Sequence, residues 1–245
     1  MNQMLHIVLW KWDQPGGKHV YEAEHVNVMA TMLRRNLQHH PHRIVCVTDE
    51  TGGITECETA DLWHDHNDLA NASGRHLPSC YRRLKLYDRT TQEAIGIEKG
   101  DRVMGIDLDT LITGDIRRLV KTEGRFVGWG LRGLGDRPVF NGSLQMFNAG
   151  DLSEIWTEFN PATSPKEAQA AGYNGSDQAW LSYKLVDKAG SVPLHWPEVS
   201  SYPLQNRIQG VLKRETKIIF FHGSLKPWSP QARFYTPWID RYWRT

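Results

Sequence analysis

A chain of 245 residues with 40% apolar and 23% charged residues is long enough to bury a sizeable core and too apolar for wholesale disorder. Its 29 basic and 28 acidic residues leave a formal charge of +1, which argues against a protein that holds nucleic acid through a basic face. The 3 cysteines, Cys46, Cys57 and Cys80, are scattered and give neither a disulfide framework nor a C-x-x-C metal pair.

The first ten residues lack a basic flank and a long apolar stretch, so they read as a strand and not as a signal peptide. No run has the length needed to cross a bilayer, and a reducing cytoplasm is the expected compartment. Leu5 to Trp10 is a short apolar run with β-branched members, a strand. Asp13-Gln14-Pro15-Gly16-Gly17 breaks it. From Glu22 to Leu37, Val26, Met29, Met32, Leu33 and Leu37 recur at helical spacing. Arg43 to Asp49 is a second strand ending in a turn. This β-α-β opening predicts parallel strands in an α/β fold, with ligand sites at the strand C-termini.

Residues 50–78 are polar and weakly periodic and read as a loop-rich connection, after which Tyr81 to Tyr87 begins a helix. Arg102 to Asp109 is a third strand, with further strands over Arg125 to Trp129 and Gly142 to Phe147. Asp177 to Val186 is helical, Lys217 to Phe221 is a late strand, and the tail from Ser229 to Thr245 is rich in aromatic and basic residues. No repeat, low-complexity tract or linker divides the chain, so residues 1–245 are expected to form one domain.

The third strand ends in Asp107-Leu108-Asp109-Thr110-Leu111. Side chains alternate along a strand, so Asp107 and Asp109 are expected to project to one side and Leu108 to the other. Two like charges this close repel, and a divalent cation with a preference for oxygen ligands relieves the cost. Three readings fit this string: two solvated acids at a strand end, a metal-binding DxD motif, or the first motif of haloacid dehalogenase-like phosphatases, in which the first Asp is the nucleophile. The phosphatase motif usually sits on the first core strand and is followed much later by an acidic pair. Here a β-α-β unit precedes it, and no late strand ends in adjacent acids.

Downstream, Phe221-His222-Gly223-Ser224-Leu225-Lys226-Pro227-Trp228 follows an apolar strand. It resembles the H-x-x-G-x-x-K-P-W motif of the glycogenin-like family of retaining GT-A glycosyltransferases. Gly223, Lys226, Pro227 and Trp228 are intact, while His222 adjoins Gly223 directly, a compact form found in bacterial and viral members. Three further segments match in order: Tyr81-Arg82-Arg83-Leu84-Lys85-Leu86, Phe140-Asn141-Gly142-Ser143 and Asn174-Gly175-Ser176-Asp177-Gln178. The resemblance runs from the first strand to about Trp228 and leaves the tail, 229–245, outside it. Taken singly, the same residues have plainer readings: basic residues coat a helix face, Asn-Gly marks a turn, Asp caps a helix, and a strand-end His is simply hydrogen-bonded.

The resemblance implies a GT-A fold with a mostly parallel central sheet flanked by helices, and transfer of a sugar, with retention, from a nucleoside-diphosphate donor, UDP-linked. It implies that Asp107, Asp109 and His222 hold Mn2+ or Mg2+, that Gly223 and Lys226 hold the diphosphate, and that Arg83, or failing it Lys85, contacts the donor. Asn141 would lie near the donor sugar, and Asp177 and Gln178 beside the anomeric carbon. Trp10, Lys11 and Tyr21 are candidates for the nucleotide base, with core packing the alternative for Trp10 and Tyr21. The acceptor, a glycan, a lipid-linked glycan or a protein, is not written in the sequence. A metal-dependent phosphatase using Asp107 and Asp109 is the rival enzyme. A sugar-binding module, suggested by the 10 tryptophans, is the rival that is no enzyme.

Overall fold

The computed structural model describes residues 3–13, 20–74, 80–132, 138–195, 197–202 and 211–245. Residues 14–17 of the expected break and 75–78 of the expected loop therefore lie outside the described residues.

The chain opens with β1 (Leu5–Lys11), α1 (Ala23–Asn36) and β2 (His42–Thr48), the expected β-α-β unit, with β1 and β2 parallel in register from Leu5↔His42 to Lys11↔Thr48. In α1 the predicted stripe Val26, Met29, Met32 and Leu33 is buried. Its first turn is closed by a reciprocal box: the Glu22 backbone N–H donates to His25 Nδ1 at 2.9 Å. An edge strand, β3 (Glu58–Asp61), pairs parallel with β2 inside what the sequence reads as loop. Its side chains are largely exposed, so it carries no apolar pattern to announce it.

Tyr81–Tyr87 is a 3-10 helix and not the start of a longer α-helix. Asp88 ends it and caps the next element, α2 (Arg89–Ala94), by accepting from Thr91 N–H at 3.1 Å. Then come β4 (Arg102–Ile106), β5 (Thr110–Ile112), α3 (Arg117–Val120), β6 (Phe126–Arg132) and β7 (Pro138–Asn148). Three helices follow, α4 (Glu154–Thr157), α5 (Ser164–Ala170) and α6 (Asp177–Leu185), then β8 (Ser191–Leu194), β9 (Val199–Ser201) and β10 (Ile218–Phe220). The tail forms α7 (Pro230–Tyr235) and α8 (Ile239–Tyr242).

Among the described residues the central sheet has the strand order β3-β2-β1-β4-β7-β6-β8, with β7 running against its neighbours and the others parallel. A small second sheet, β5-β10-β9, lies beside it. Every residue of β1 is buried, because both faces of the central sheet are covered. Leu5, Ile7 and Leu9 join a core with α1, the small sheet and the tail residues Ala232, Ile239 and Trp243. Val8 and Trp10 join a second core with the 3-10 helix and α4 to α6. The expected α/β fold with a mostly parallel sheet is the fold observed.

Candidate active site

The C-terminal ends of β1 and β4 and the end of β10 meet in one place. The acidic pair belongs to a turn there. β4 stops at Ile106, so Asp107, Leu108 and Asp109 are not consecutive strand residues, and strand alternation is not what brings the carboxylates together. The turn is pinned by Leu108, which is buried in the core. Asp107 N–H donates to the Ser143 carbonyl at 3.1 Å, and the Asp109 carbonyl accepts from Phe221 N–H at 3.0 Å. β7 supplies the first of these bonds through an irregularity: Gly128 of β6 opposes Gln145, but the next residue, Trp129, opposes Asn141. Gly142, Ser143 and Leu144 thus have no partner in β6, and the Asn141 side chain steadies this irregularity by accepting from Ser143 N–H at 2.8 Å.

Each acid of the turn meets a buried cation. Arg83, carried by the 3-10 helix, contacts Asp107 through Nη1 and grips Asp177 at the start of α6, with Nε at 2.8 Å and Nη2 at 2.7 Å from Oδ2. Its guanidinium also lies over the Trp10 ring, 5.6 Å from the centroid. Position 142 lacks a side chain for a visible reason: a Cβ there would stand 2.8 Å from Arg83 Nη2 and 3.1 Å from Asp177 Oδ2. Lys226 contacts Asp109 and also donates to the Phe221 carbonyl at 3.1 Å. The Tyr21 hydroxyl donates to the same Asp109 oxygen at 3.1 Å. Burial, and after it the charges of Asp109 and Asp107, push the Tyr21 phenol far above its usual range, so it is a donor at any working pH. Burial also raises Asp107, with Asp109 adding to the effect and Arg83 opposing it.

His222, just past β10, places Nε2 2.6 Å from Ser201 Oγ, and its ring lies 6.0 Å from that of Trp129. Partial desolvation, and the nearby Lys226, lower the imidazole's proton affinity against the pull of Asp109. Ser201 is a residue the sequence reading did not single out. Only the parallel pairing of β9 with β10, which sets Phe220 opposite Ser201, brings it here. Among the described residues, no three His, Cys, Asp or Glu side chains converge closely enough to hold a metal ion. Asp107, Asp109 and His222 stand instead on Arg83, on Lys226 with Tyr21, and on Ser201.

The remaining candidates are spread around this centre. Asp177 is buried and opens α6, but the capping position is Ser176, and the Asp177 carboxylate goes to Arg83. Gln178, half-buried, donates from Nε2 to the Asn174 carbonyl at 3.3 Å. Gly223 has φ 92° with nothing within 4 Å of an added Cβ, so a glycine is favoured there by backbone conformation. Lys85 is drawn away from the acids of the turn to Asp65. Lys11 is buried and reaches Glu50 at 2.9 Å. Trp10 is buried, edge-on to Trp63, and its ring would clash with any side chain at Gly105, 2.6 Å from a Cβ there. Trp228 stacks on His25, with centroids 3.9 Å apart, and lies 5.3 Å from the Trp243 ring of the tail.

No protein-family model matches the chain, and no curated protein is similar to it in sequence. Solved structures are similar to it in fold. The galactosyltransferase LgtC, in complex with donor and acceptor sugar analogues, superposes with a TM-score of 0.63 at 15% identity, over 98% of this chain and 97% of LgtC. LgtC has also been solved as an active-site mutant in which glutamate replaces glutamine. The glycosyltransferase GlyE of Streptococcus pneumoniae TIGR4 gives a TM-score of 0.53 at 14% identity, over 97% of this chain and 61% of GlyE. The bifunctional glycosyltransferase WbbM gives 0.56 at 14% identity, over 98% of this chain and 51% of WbbM. At such identities the likeness establishes the fold: the chain has the GT-A fold of these glycosyltransferases.

Proposed function

We propose that this protein is a metal-assisted glycosyltransferase that moves a sugar from a UDP-linked donor to a glycan, lipid-linked glycan or protein acceptor, with retention. The observation that carries this reading is the convergence of Asp107, Asp109, Asp177, Arg83 and Lys226 at the C-terminal ends of parallel strands, in the fold of LgtC. Two carboxylates and an imidazole are in kind a donor set for Mn2+ or Mg2+, and Asp107, Asp109 and His222 would hold the ion only on leaving Arg83, Lys226 and Ser201 and converging. When bound, the metal supplies Lewis-acid neutralisation of the leaving diphosphate.

The chain's own residues account for the rest. Lys226 and Arg83 supply positive charge where negative charge develops on the leaving group. Asp177, fixed by Arg83, orients sugar hydroxyls or serves as the nucleophile. Gln178, with its amide nitrogen taken by Asn174, offers its carbonyl to the developing positive charge at the anomeric carbon. That LgtC has a glutamine in its active site supports giving Gln178 this role. The phosphatase reading draws no support from the fold, which is that of LgtC. A sugar-binding module would need no metal pair, so binding that is lost on chelation would argue against it.

The test is UDP release from a panel of UDP-sugars with Mn2+, headed by UDP-galactose because LgtC is a galactosyltransferase, followed by NMR of the product linkage. UDP release that is lost on chelation, and an α-linkage from an α-linked donor, are expected. Phosphate release from a simple phosphomonoester without UDP release would favour the phosphatase. An inverted linkage would overturn retention and leave the transferase.

A further inference from the structure

His25 lies between two parts of the chain that reach Asp109. On one side it closes the start of α1. The Glu22 N–H donates to its Nδ1 at 2.9 Å, and its own N–H donates to the Glu22 carbonyl at 3.0 Å. Tyr21, the residue before this box, sends its hydroxyl to Asp109. On the other side the His25 ring stacks on Trp228, with centroids 3.9 Å apart, and the Tyr21 ring meets Trp228 edge-on at 5.7 Å. Trp228 belongs to a closed turn with Lys226. Lys226 N–H donates to Ser229 Oγ at 3.2 Å, and Ser229 N–H donates to the Lys226 carbonyl at 3.0 Å. Arg233 adds a bond to the Pro227 carbonyl at 3.2 Å. One buried imidazole thus joins the segment that carries Tyr21 to the turn that holds the Lys226 ammonium on Asp109 and the Phe221 carbonyl.

We propose that neutral His25 is a positioning residue for the donor's diphosphate, setting Lys226 and Tyr21 relative to each other, and that its protonation uncouples them. The inference rests on the glycosyltransferase reading above, in which Lys226 meets the diphosphate. The bond geometry fixes the protonation state. With Nδ1 accepting, the ring's proton is on Nε2, and a second proton has only Nδ1 to occupy, where it would face the Glu22 N–H. The imidazolium must therefore leave the box. Burial lowers the proton affinity of His25 against the pull of Glu22 and Glu24, and the Tyr21, Trp228 and Trp243 rings packed on it bring no charge. In the joined state its pKa lies below the ordinary 6.5, so the joint is complete above that pH and is lost as pH falls below it.

The experiment measures UDP binding by calorimetry, with Mn2+ in the buffer throughout, at pH 7.5 and at about pH 5. It compares the natural protein with His25→Asn, which keeps an acceptor for the Glu22 N–H and loses the stack, and with His25→Phe, which keeps the stack and loses the acceptor. At pH 7.5 both variants are expected to bind UDP about fivefold more weakly, the worth of one capping interaction. On acidification the natural protein should lose about fivefold more affinity than either variant, because it alone has the titrating joint. Titration of the UDP phosphate and of His222 is common to all three proteins and cancels in this comparison. Imidazole 15N NMR of the natural protein needs no variant to fold: the His25 ring should carry its proton on Nε2 at pH 7.5 and titrate below 6.5. Folded variants with the natural affinity and pH dependence overturn the positioning role and leave the transferase reading standing. So does a His25 ring with its proton on Nδ1. Weaker binding with an unchanged pH dependence also overturns it, since a purely structural role would then explain the loss. No UDP binding by any of the proteins overturns both readings.

Discussion

At the scale of single residues the instructive case is Asp177. Its sequence position, just ahead of a helix, is equally that of a capping residue, whose removal costs about 1 kcal/mol. The structure gives it another task, since its buried carboxylate is one of two that hold the buried Arg83. Removing one partner of a buried, hydrogen-bonded ion pair costs about 3 kcal/mol or more. Asp177→Asn should therefore destabilise the protein by about that amount in urea denaturation, as well as suppressing turnover. A loss below about 1 kcal/mol would return Asp177 to a minor, cap-like role. Residues of like type divide in the same way: Arg83 and Lys85 lie on one short helix, yet one faces the acids of the turn and the other leaves for Asp65.

At the scale of elements the tail has two sequence readings: the alternation of aromatic and basic residues suggests a cover for the acceptor or a docking surface, and the plainer, preferred reading is simple packing of a terminal helix. In the fold, Ala232, Ile239 and Trp243 are buried in the core shared with α1. Arg35 of α1 donates to the Tyr242 carbonyl at 2.7 Å, and Trp243 lies against Trp228. The tail is thus part of the packing behind the Gly223 to Trp228 segment. Deleting the residues after Pro237 takes two large apolar side chains from the core, at a cost of about 3 to 6 kcal/mol. A lowered melting temperature is expected, with parallel losses of donor hydrolysis and sugar transfer. An unchanged melting temperature with loss of transfer alone would assign the tail to the acceptor instead.

At the scale of the whole molecule the two cores on opposite faces of one sheet predict a single cooperative unit, in keeping with the proposal that residues 1–245 form one domain. The cysteines report on it. Burial pushes the Cys46 and Cys80 thiols up to about 12 and the Cys57 thiol to about 11, so the reactive thiolate is scarce at neutral pH in the native state. In rising urea at pH 7.5, all three should become reactive toward a thiol reagent together, at the midpoint of the circular-dichroism transition. A cysteine that reacts well before that midpoint would mark a segment that unfolds on its own.

The sequence by itself determined what depends on neighbours along the chain. The buried stripe of α1, the mostly apolar β1, the helix opening at Asp177 and the β-α-β start were legible, because local periodicity follows from how side chains leave a helix or strand. The acidic pair and the Lys226 segment were legible as chemistry, and it was the family resemblance, not local pattern, that joined them into one expected site. Edge strand β3 and three-residue β9 were not legible, for they are too short or too exposed to carry a pattern. Only the tertiary structure decided that Asp107 and Asp109 sit on a turn, that Arg83, while holding Asp107, meets Asp177 across 94 residues of chain, and that Lys226 meets Asp109 across 117. Such pairings depend on which strands lie side by side and where a bulge falls, and a single sequence read from end to end does not carry that order.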